Sequence, residues 1–170
     1  GAIVTEPTEL SPCLAHKGFI WLEVETIGRA AHGSRFDQGI DANMLMGRFL
    51  AELDTLAAAL RSQAGHALVG PPSLHAAMIH GGTALSVYAA SCRLKIERRT
   101  IPGETEAQVL EEMQSIIGKL AADDPAFKAA VDTLFVRDPF EVSSQAGIVQ
   151  AVGQALSQVL GHRPDHAGAA

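Results

Sequence analysis

Apolar and polar residues alternate along several short stretches of the chain, which predicts strands with one buried face. The first stretch covers residues 19–27, where apolar Ile20, Leu22 and Val24 alternate with polar Glu23 and Glu25. Two more strands are expected at about residues 74–80 and 131–137. A fourth, at about residues 85–98, should bury Ala90, Cys92, Leu94 and Ile96 and expose Arg93, Lys95 and Glu97.

Apolar residues recur every three or four positions between these strands, which predicts two helices. The first helix covers residues 42–60, with an apolar face at Ala42, Leu45, Phe49, Leu53, Leu56 and Leu60. The second begins after Thr105, which forms a capping box with Gln108, and ends at residues 123–125. Its buried stripe is expected at Leu110, Met113, Ile117 and Leu120.

The resulting order, βαββαβ, predicts an α+β fold, a ferredoxin-like two-layer sandwich. Both helices should cover one face of the sheet, while the other face is solvated or faces a second domain. The two ends of the chain fall outside this unit. Residues 2–4 are predicted to form a short apolar strand without a partner, and residues 143–160 a third helix that ends at Gly161.

Composition narrows the range of partners. The chain has 170 residues, of which 47% are hydrophobic, as expected for one domain with an ordinary core. Its net charge of −6 argues against a nucleic acid or an anionic membrane as the main partner. No run approaches the ~18 apolar residues of a membrane span, and the first residues lack the basic start of a secretory signal.

Two further features of the chain bear on its setting. Cys13 and Cys92 lie far apart, so we expect neither a disulfide framework nor a thiolate zinc site, and the reducing cytoplasm fits best. Because residue 1 is not Met, we expect the chain to begin inside a longer protein or after processing.

Two residues could act on a ligand from the first part of the chain. His32 stands on a turn of small residues after the first strand, where it either reaches a ligand or satisfies a backbone group. Glu6 precedes Pro7, a pattern that commonly starts a turn and is most often structural.

Two more candidates follow later. Gly81, Gly82 and Thr83, followed by Ser86, predict a hairpin turn with positive φ angles. Arg99 is expected near a strand end, where its guanidinium binds a carboxylate or stays solvated. The other histidines do not fall at metal-ligand spacing: His16, His66, His75, His80, His162 and His166.

The four segments that carry Glu6, His32, Gly82 and Arg99 resemble, in their order and approximate spacing, the lid, or dimerisation, domain of a family of zinc amidohydrolases. That family includes acetylornithine deacetylase, succinyl-diaminopimelate desuccinylase, aminoacylase and carboxypeptidase G. The resemblance covers roughly residues 3–170. It implies that residues 15–138 form the lid, that residues 1–14 are a linker from the catalytic domain, and that residues 139–170 are its return helix.

The resemblance also implies roles in a dinuclear zinc site. His32 matches the lid histidine that reaches the active site of the other subunit and donates to the oxyanion of a tetrahedral intermediate. Glu6 matches an acid that binds one of two catalytic zinc ions. The remaining ligands and the general base would lie before Gly1 and beyond Ala170, so the chain alone is expected to be inactive.

Substrate contacts are implied by the same resemblance. Gly82 belongs to a loop that leads to a substrate-binding Asn in the family, and Ser86 stands at about that position here. Ala89 replaces a nearby Pro of the family. Arg99 matches an arginine near the carboxylate of the bound substrate, which is expected to be an N-acyl amino acid or a related amide.

The resemblance also implies a homodimer, because members of the family pair their lids through an edge strand and a flanking helix, here the strand at residues 74–80 and the helix at residues 42–60. An unpaired edge strand also calls for such a cover. A competing class is a non-catalytic ferredoxin-like binding or interaction module. An RNA-binding sandwich would need aromatic residues on the open sheet face and a basic balance. One Trp, one Tyr and a negative net charge disfavour it.

Overall fold

The computed structural model describes residues 1–169, which form seven strands and three helices. The strands are β1 (Cys13–His16), β2 (Gly18–Ile27), β3 (Ser73–Gly81), β4 (Ser91–Thr100), β5 (Ala129–Arg137), β6 (Phe140–Glu141) and β7 (Ala167–Ala169). The helices are α1 (Ala42–Ser62), α2 (Glu106–Asp123) and α3 (Gly147–Leu160).

Four antiparallel strands form the main sheet in the order β3-β4-β2-β5. Helices α1 and α2 cover one face of it, and the apolar residues of β2 and β4 meet theirs in a single core. Each fully buried aliphatic or aromatic side chain contributes about 1.5–3 kcal/mol. The predicted ferredoxin-like sandwich is confirmed, and we call this unit the sandwich below.

Helix α2 begins as its sequence predicts. Thr105 Oγ1 accepts from the backbone N–H of Gln108 at 3.3 Å, and Gln108 Oε1 accepts from the backbone N–H of Thr105 at 2.9 Å. The buried stripe is rotated slightly from the prediction: Val109 and Ile116 are buried, whereas Leu110 and Ile117 are only partly buried. The stripe turns because α2 packs against both β5 and α1.

The fourth predicted strand starts later than expected. β4 begins at Ser91 rather than residue 85, Leu85 is fully exposed, and Ala89 instead of Ala90 is buried. Residues 82–90 form a loop because several of their backbone groups bond to the loop after β2 instead of continuing the pairing with β3.

The second sheet was not predicted. β1 lies at its centre, antiparallel to β6 and parallel to β7. The predicted strand at residues 2–4 is wrong: these residues pair with no other strand in the described part of the chain, and Ile3 and Val4 are exposed. We call the sheet β6-β1-β7 the small sheet.

Helix α3 ends as predicted, at Gly161 in the left-handed conformation with φ 75°. It starts at Gly147, four residues after the predicted start, because Ser143 caps a turn by accepting from the N–H groups of Gln145 and Ala146. No helix within residues 1–169 has the length and apolar content to cross a bilayer.

Candidate functional site

A loop of residues 29–40 connects β2 to α1 and carries His32. Its base is closed by reciprocal backbone bonds between Arg29 and Ile40, of 2.8 and 3.0 Å. Gly28 stands at the point where the chain leaves the sheet, and a Cβ there would lie 2.6 Å from the Ala89 carbonyl oxygen. Only glycine permits this close approach, so the base of the loop is held tightly.

The loop of residues 82–90 runs beside the first. Gly33 N–H donates to the Ser86 carbonyl at 2.7 Å, and Tyr88 N–H donates to the Ala31 carbonyl at 2.9 Å. Gly39 leaves room for the ring of Tyr88, which a Cβ would approach to 2.5 Å. The structure therefore brings the His32 and Ser86 segments together at one end of the sandwich.

The imidazole of His32 is exposed, and its proton position follows from one neighbour. His32 Nδ1 accepts from the backbone N–H of Ser34 at 3.3 Å and lies 2.9 Å from the Ser34 hydroxyl. A backbone amide can only donate, so Nδ1 is the acceptor and the neutral ring carries its hydrogen on Nε2. This Nε2–H has no hydrogen-bond partner within residues 1–169 and is free to donate to a ligand.

Gly81, the last residue of β3, and Gly82, the first residue of the second loop, serve different purposes. Gly82 has the positive φ that the turn predicts, 82°, whereas Gly81 is required by packing: a Cβ there would lie 2.7 Å from Cys92 Sγ. Burial, and secondarily the charge of Asp41, raises the pKa of Cys92, so this thiol stays protonated and inert. Ser86 is exposed, and its carbonyl is already occupied by Gly33.

Arg99 lies at the opposite end of the sheet. Arg99 is eight positions after Ser91, the first residue of β4, which at 3.3 Å per position is about 26 Å along the strand. Its Nε donates to Glu97 Oε1 at 2.7 Å, and its guanidinium lies 5.2 Å from the ring centroid of Phe19. Within one chain, Arg99 and His32 do not share a site.

Glu6 lies in an exposed segment without regular structure. Its carbonyl accepts from the Thr8 N–H at 2.8 Å, which is the turn expected after a carboxylate and a proline. Across the part of the chain that the structure describes, no three His, Cys, Asp or Glu side chains are grouped so that they could hold a metal ion.

An aromatic cluster lies on the face of the main sheet that the helices leave open. The sequence analysis did not predict this cluster, because the chain contains few aromatic residues. The rings of Phe19, Trp21 and Phe135 lie 5.5 to 5.7 Å apart. Trp21 Nε1 donates to Glu97 at 2.8 Å. Burial alone would raise the pKa of Glu97, but hydrogen bonds from Trp21 and Arg99 hold that pKa below its usual value.

The sequence profile of the peptidase dimerisation domain matches residues 14–125. The chain belongs to this family. The chain is 33% identical over 156 residues to the acetylornithine deacetylase of Myxococcus xanthus, covering 91% of this chain and 41% of that protein. It is 35% identical over 160 residues to the same enzyme of Proteus mirabilis, covering 92% and 41%. It therefore spans about two fifths of the length of these curated relatives.

Solved structures share the fold. An amidase of the hydantoinase/carbamoylase family from Burkholderia phymatum superposes with a TM-score of 0.69 at 14% identity, covering 98% of this chain and 42% of that one. A tripeptidase from Staphylococcus aureus gives a TM-score of 0.68 at 15% identity, covering 95% and 40%. At these identities the likeness concerns the fold alone.

The sequence prediction missed a set of exposed apolar residues on the His32 loop, on the second loop and at the start of α1, which we call the collar. The collar consists of Phe36, Leu85 and Val87 on the two loops and Met44 at the start of α1. Phe36 is 82% exposed and Leu85 is fully exposed. The sequence did carry a signal for the collar, since Phe36 and Leu85 are large apolar residues within polar, glycine-containing loops. Exposed apolar patches of this kind commonly mark contact surfaces.

Proposed function

We propose that this chain is the lid and dimerisation domain of a dinuclear zinc hydrolase that cleaves the amide bond of an N-acyl amino acid or a related peptide-like substrate. In this proposal His32 donates to the oxyanion in the active site of the partner subunit. The observation that carries it is the exposed His32 ring, whose Nδ1 is held by Ser34 and whose Nε2–H is free. We propose the cytoplasm as its location, since both cysteines are free.

The His32 ring suits a tetrahedral intermediate because it is oriented before the ligand arrives. A donor held in place needs no reorganisation when negative charge develops on the carbonyl oxygen. Removing one such donor typically costs about 10²–10³ in kcat. The neutral tautomer with hydrogen on Nε2 supplies this donor without a charged imidazole.

Zinc, when bound, would activate a water and polarise the scissile carbonyl. Glu6 is an oxygen donor of a suitable type, but a zinc site needs three or four ligands. The described residues supply no such group. In this proposal the other ligands and the general base come from the portion of the enzyme that aligns with no residue of this chain.

A free sheet edge supports a dimer formed through β3 and α1. β3 is an outer strand of the main sheet, and its far side pairs with no strand in the described chain. Met78 and Ile79 on β3 and Met44 on α1 are exposed apolar residues along this edge. A second copy that pairs with this edge would cover them and place the His32 loops next to the partner.

Gly82, Ser86 and Arg99 are proposed substrate contacts. Gly82 and Ser86 share the His32 end, so they suit the same substrate as His32. Arg99 lies about 26 Å away along β4, so it would have to meet substrate in a different subunit from His32.

Mixed dimers of the enzyme that carries this domain test the proposal. A His32→Ala variant and a Glu6→Ala variant should each lose activity. If His32 serves the partner, a hybrid dimer has one intact site, and an equimolar random mixture regains about a quarter of the wild-type activity. His162→Ala, which alters another exposed histidine, is the matched control and should stay active.

No recovery in the mixed sample would contradict a role in the partner subunit. Full activity of His32→Ala would contradict the oxyanion role of His32 and would leave this domain without a part in catalysis. The isolated chain offers an independent check by sedimentation: it should dimerise without zinc, and a monomer at every concentration would argue against the proposed assembly.

A further inference from the structure

The segment between α1 and β3, residues 63–72, is called the strap here. It starts and ends in the sandwich. His66 and Gly70 exchange two backbone hydrogen bonds of 3.0 and 2.8 Å, and a Cβ on Gly65 would lie 2.9 Å from Gly70 Cα. The strap is therefore a tightly closed turn rather than an extended connection.

The middle of the strap touches both outer strands of the small sheet. His66 Nε2 lies 3.1 Å from Glu141 Oε1 in β6, and the His66 side chain is only 16% exposed. On the other side, a Cβ on Gly168 in β7 would lie 2.6 Å from Val69 Cγ1. The strap thus rests directly on the backbone of β7.

Two short chain crossings join the sandwich to the small sheet. Lys17 is the single residue between β1 and β2, and residues 138–139 connect β5 to β6. The crossings lie side by side, because a Cβ on Gly18 would approach Pro139 N to 2.5 Å. Two short, adjacent crossings have the geometry of a hinge, and we refer to them as the hinge below.

The strap adds a third support to this hinge. Lys17 Nζ donates to the Pro71 carbonyl at 2.7 Å, so the hinge residue itself is tied to the strap. The backbone N–H of Lys17 donates to the carbonyl of Ala169 in β7 at 3.0 Å. Rotation of the sandwich would have to break the contacts of the strap with β6, with β7 and with Lys17.

We propose that the strap is a latch that sets the angle between the sandwich and the small sheet, and thereby the position of His32. β2 leads from the hinge to the His32 loop and spans ten residues, or about 33 Å. A rotation of about 10° at the hinge would then move His32 by about 6 Å, more than the tolerance of a hydrogen bond near 2.9 Å.

The significance for His32 rests on the proposed function, whereas the latch itself is a property of this chain. A neighbouring subunit can receive the His32 Nε2–H only if the lid stands at one angle. The strap provides that angle without occupying the His32 end of the sandwich.

Spin-label distances test the latch in the chain as it exists. Labels would be placed at Asp54→Cys on α1 and Gln145→Cys after β6, both exposed, in a Cys13→Ser background; Cys92 is 1% exposed. Dilution with unlabelled chain restricts the signal to distances within one molecule. The unmodified strap should give one narrow distance distribution.

Two different changes should release the latch. Gly168→Ala adds a methyl group against the strap, and the double variant Lys17→Ala with His66→Ala removes two polar ties without adding atoms. Each should widen the distance distribution at least about twofold. Gly153→Ala in α3 is the matched control, because a Cβ there meets nothing within 4 Å, and its distribution should not change.

An unchanged distribution in both folded latch variants would overturn the proposal. Should Gly168→Ala fail to fold, as judged by circular dichroism, the double variant decides the question alone. The result is separable from the proposed function: widening together with no recovery in mixed dimers would support the latch and contradict the role of His32 in the partner.

Discussion

The two ends of the sandwich differ in what their polar groups bind. At the end next to the small sheet, Arg98 is fully buried and its guanidinium meets both Glu104 and Glu112, the latter at 3.0 Å. At the other end, within the described chain, His32 Nε2 has no partner and the collar is exposed. Internal pairing serves stability, whereas an oriented group left unpaired is available to a ligand, and the proposed role of His32 rests on this difference.

Two histidines show this difference within one local motif. His32 Nδ1 accepts from the N–H of Ser34, and His66 Nδ1 accepts from the N–H of Leu68 at 3.2 Å. In both, the neutral ring carries its hydrogen on Nε2. For His66 this nitrogen meets Glu141, and for His32 it faces solvent. The local turn selects the tautomer, and the tertiary surroundings decide whether the histidine is structural or available.

The largest effect should come from the buried charge near the small sheet. Burial alone would lower the pKa of Arg98, but the carboxylates of Glu112 and Glu104 raise it. Arg98 therefore stays charged and neutralises both carboxylates. Arg98→Ala should lower the free energy of unfolding by about 3–5 kcal/mol, because two partly buried carboxylates lose their partner. Urea denaturation measures this.

Arg99→Ala is the adjacent control for that prediction. Arg99 is part-exposed on the open face, paired with Glu97 and stacked on Phe19, so its loss should cost no more than about 1 kcal/mol. Equal losses for the two variants would contradict the contrast between a buried network and a surface pair.

Association should respond at the His32 end. Met44→Asp combined with Ile79→Asp places two charges on the exposed apolar edge and should raise the dimer Kd at least tenfold, which is about 1.4 kcal/mol. Sedimentation equilibrium measures the Kd. Phe140→Asp, on an exposed apolar residue of β6 in the small sheet, is the control, and a comparable rise in Kd there would remove the distinction between the ends.

A smaller effect is expected from the cap of α2. Thr105→Ala removes the acceptor for the Gln108 N–H and should cost about 1 kcal/mol of stability. Thr55→Ala in α1 is the matched control, since that hydroxyl bonds only to the carbonyl of Ala51 one turn earlier. Thermal and urea unfolding should show a loss for Thr105 and little change for Thr55.

The smallest expected effect is on the stability of the fold at acid pH, through Glu97. The pKa of Glu97 is lower in the folded chain than in the unfolded one, where Glu titrates near 4.3. Its contribution is therefore present above about pH 4.3 and is lost as pH falls through the folded pKa. Denaturation at pH 7 and pH 3 should show a larger acid loss for wild type than for Glu97→Gln, by less than about 1 kcal/mol. Equal losses would contradict the link to Trp21 and Arg99.

Local patterns predicted the sandwich well where neighbouring residues determine the structure. The alternation in β2, the helical period of α1 and the capping box at Thr105 all reflect interactions within a few residues of each other, so they can be read directly. The start of β4 could not, because Ser86 and Tyr88 bond to residues more than fifty positions earlier in the chain.

The candidate site could likewise be predicted only as far as local patterns reach. His32, Ser86, Gly82, Arg99 and Glu6 were selected as residue types in suggestive local settings, and their roles stay predictions. Their separation does not follow from those settings: only the strand register places His32 with Ser86 and puts Arg99 at the far end of β4.

By itself, the sequence determined the order of strands and helices within the sandwich, most of the faces they bury and the turns that hold His32 and Gly82, because short-range sterics and solvent exclusion act on neighbouring residues. Only the tertiary structure decided that His32 keeps a free Nε2 while His66 is bound, that β1 anchors a second sheet, and that the strap spans it. Those outcomes depend on contacts between residues distant in the chain, which no local pattern encodes.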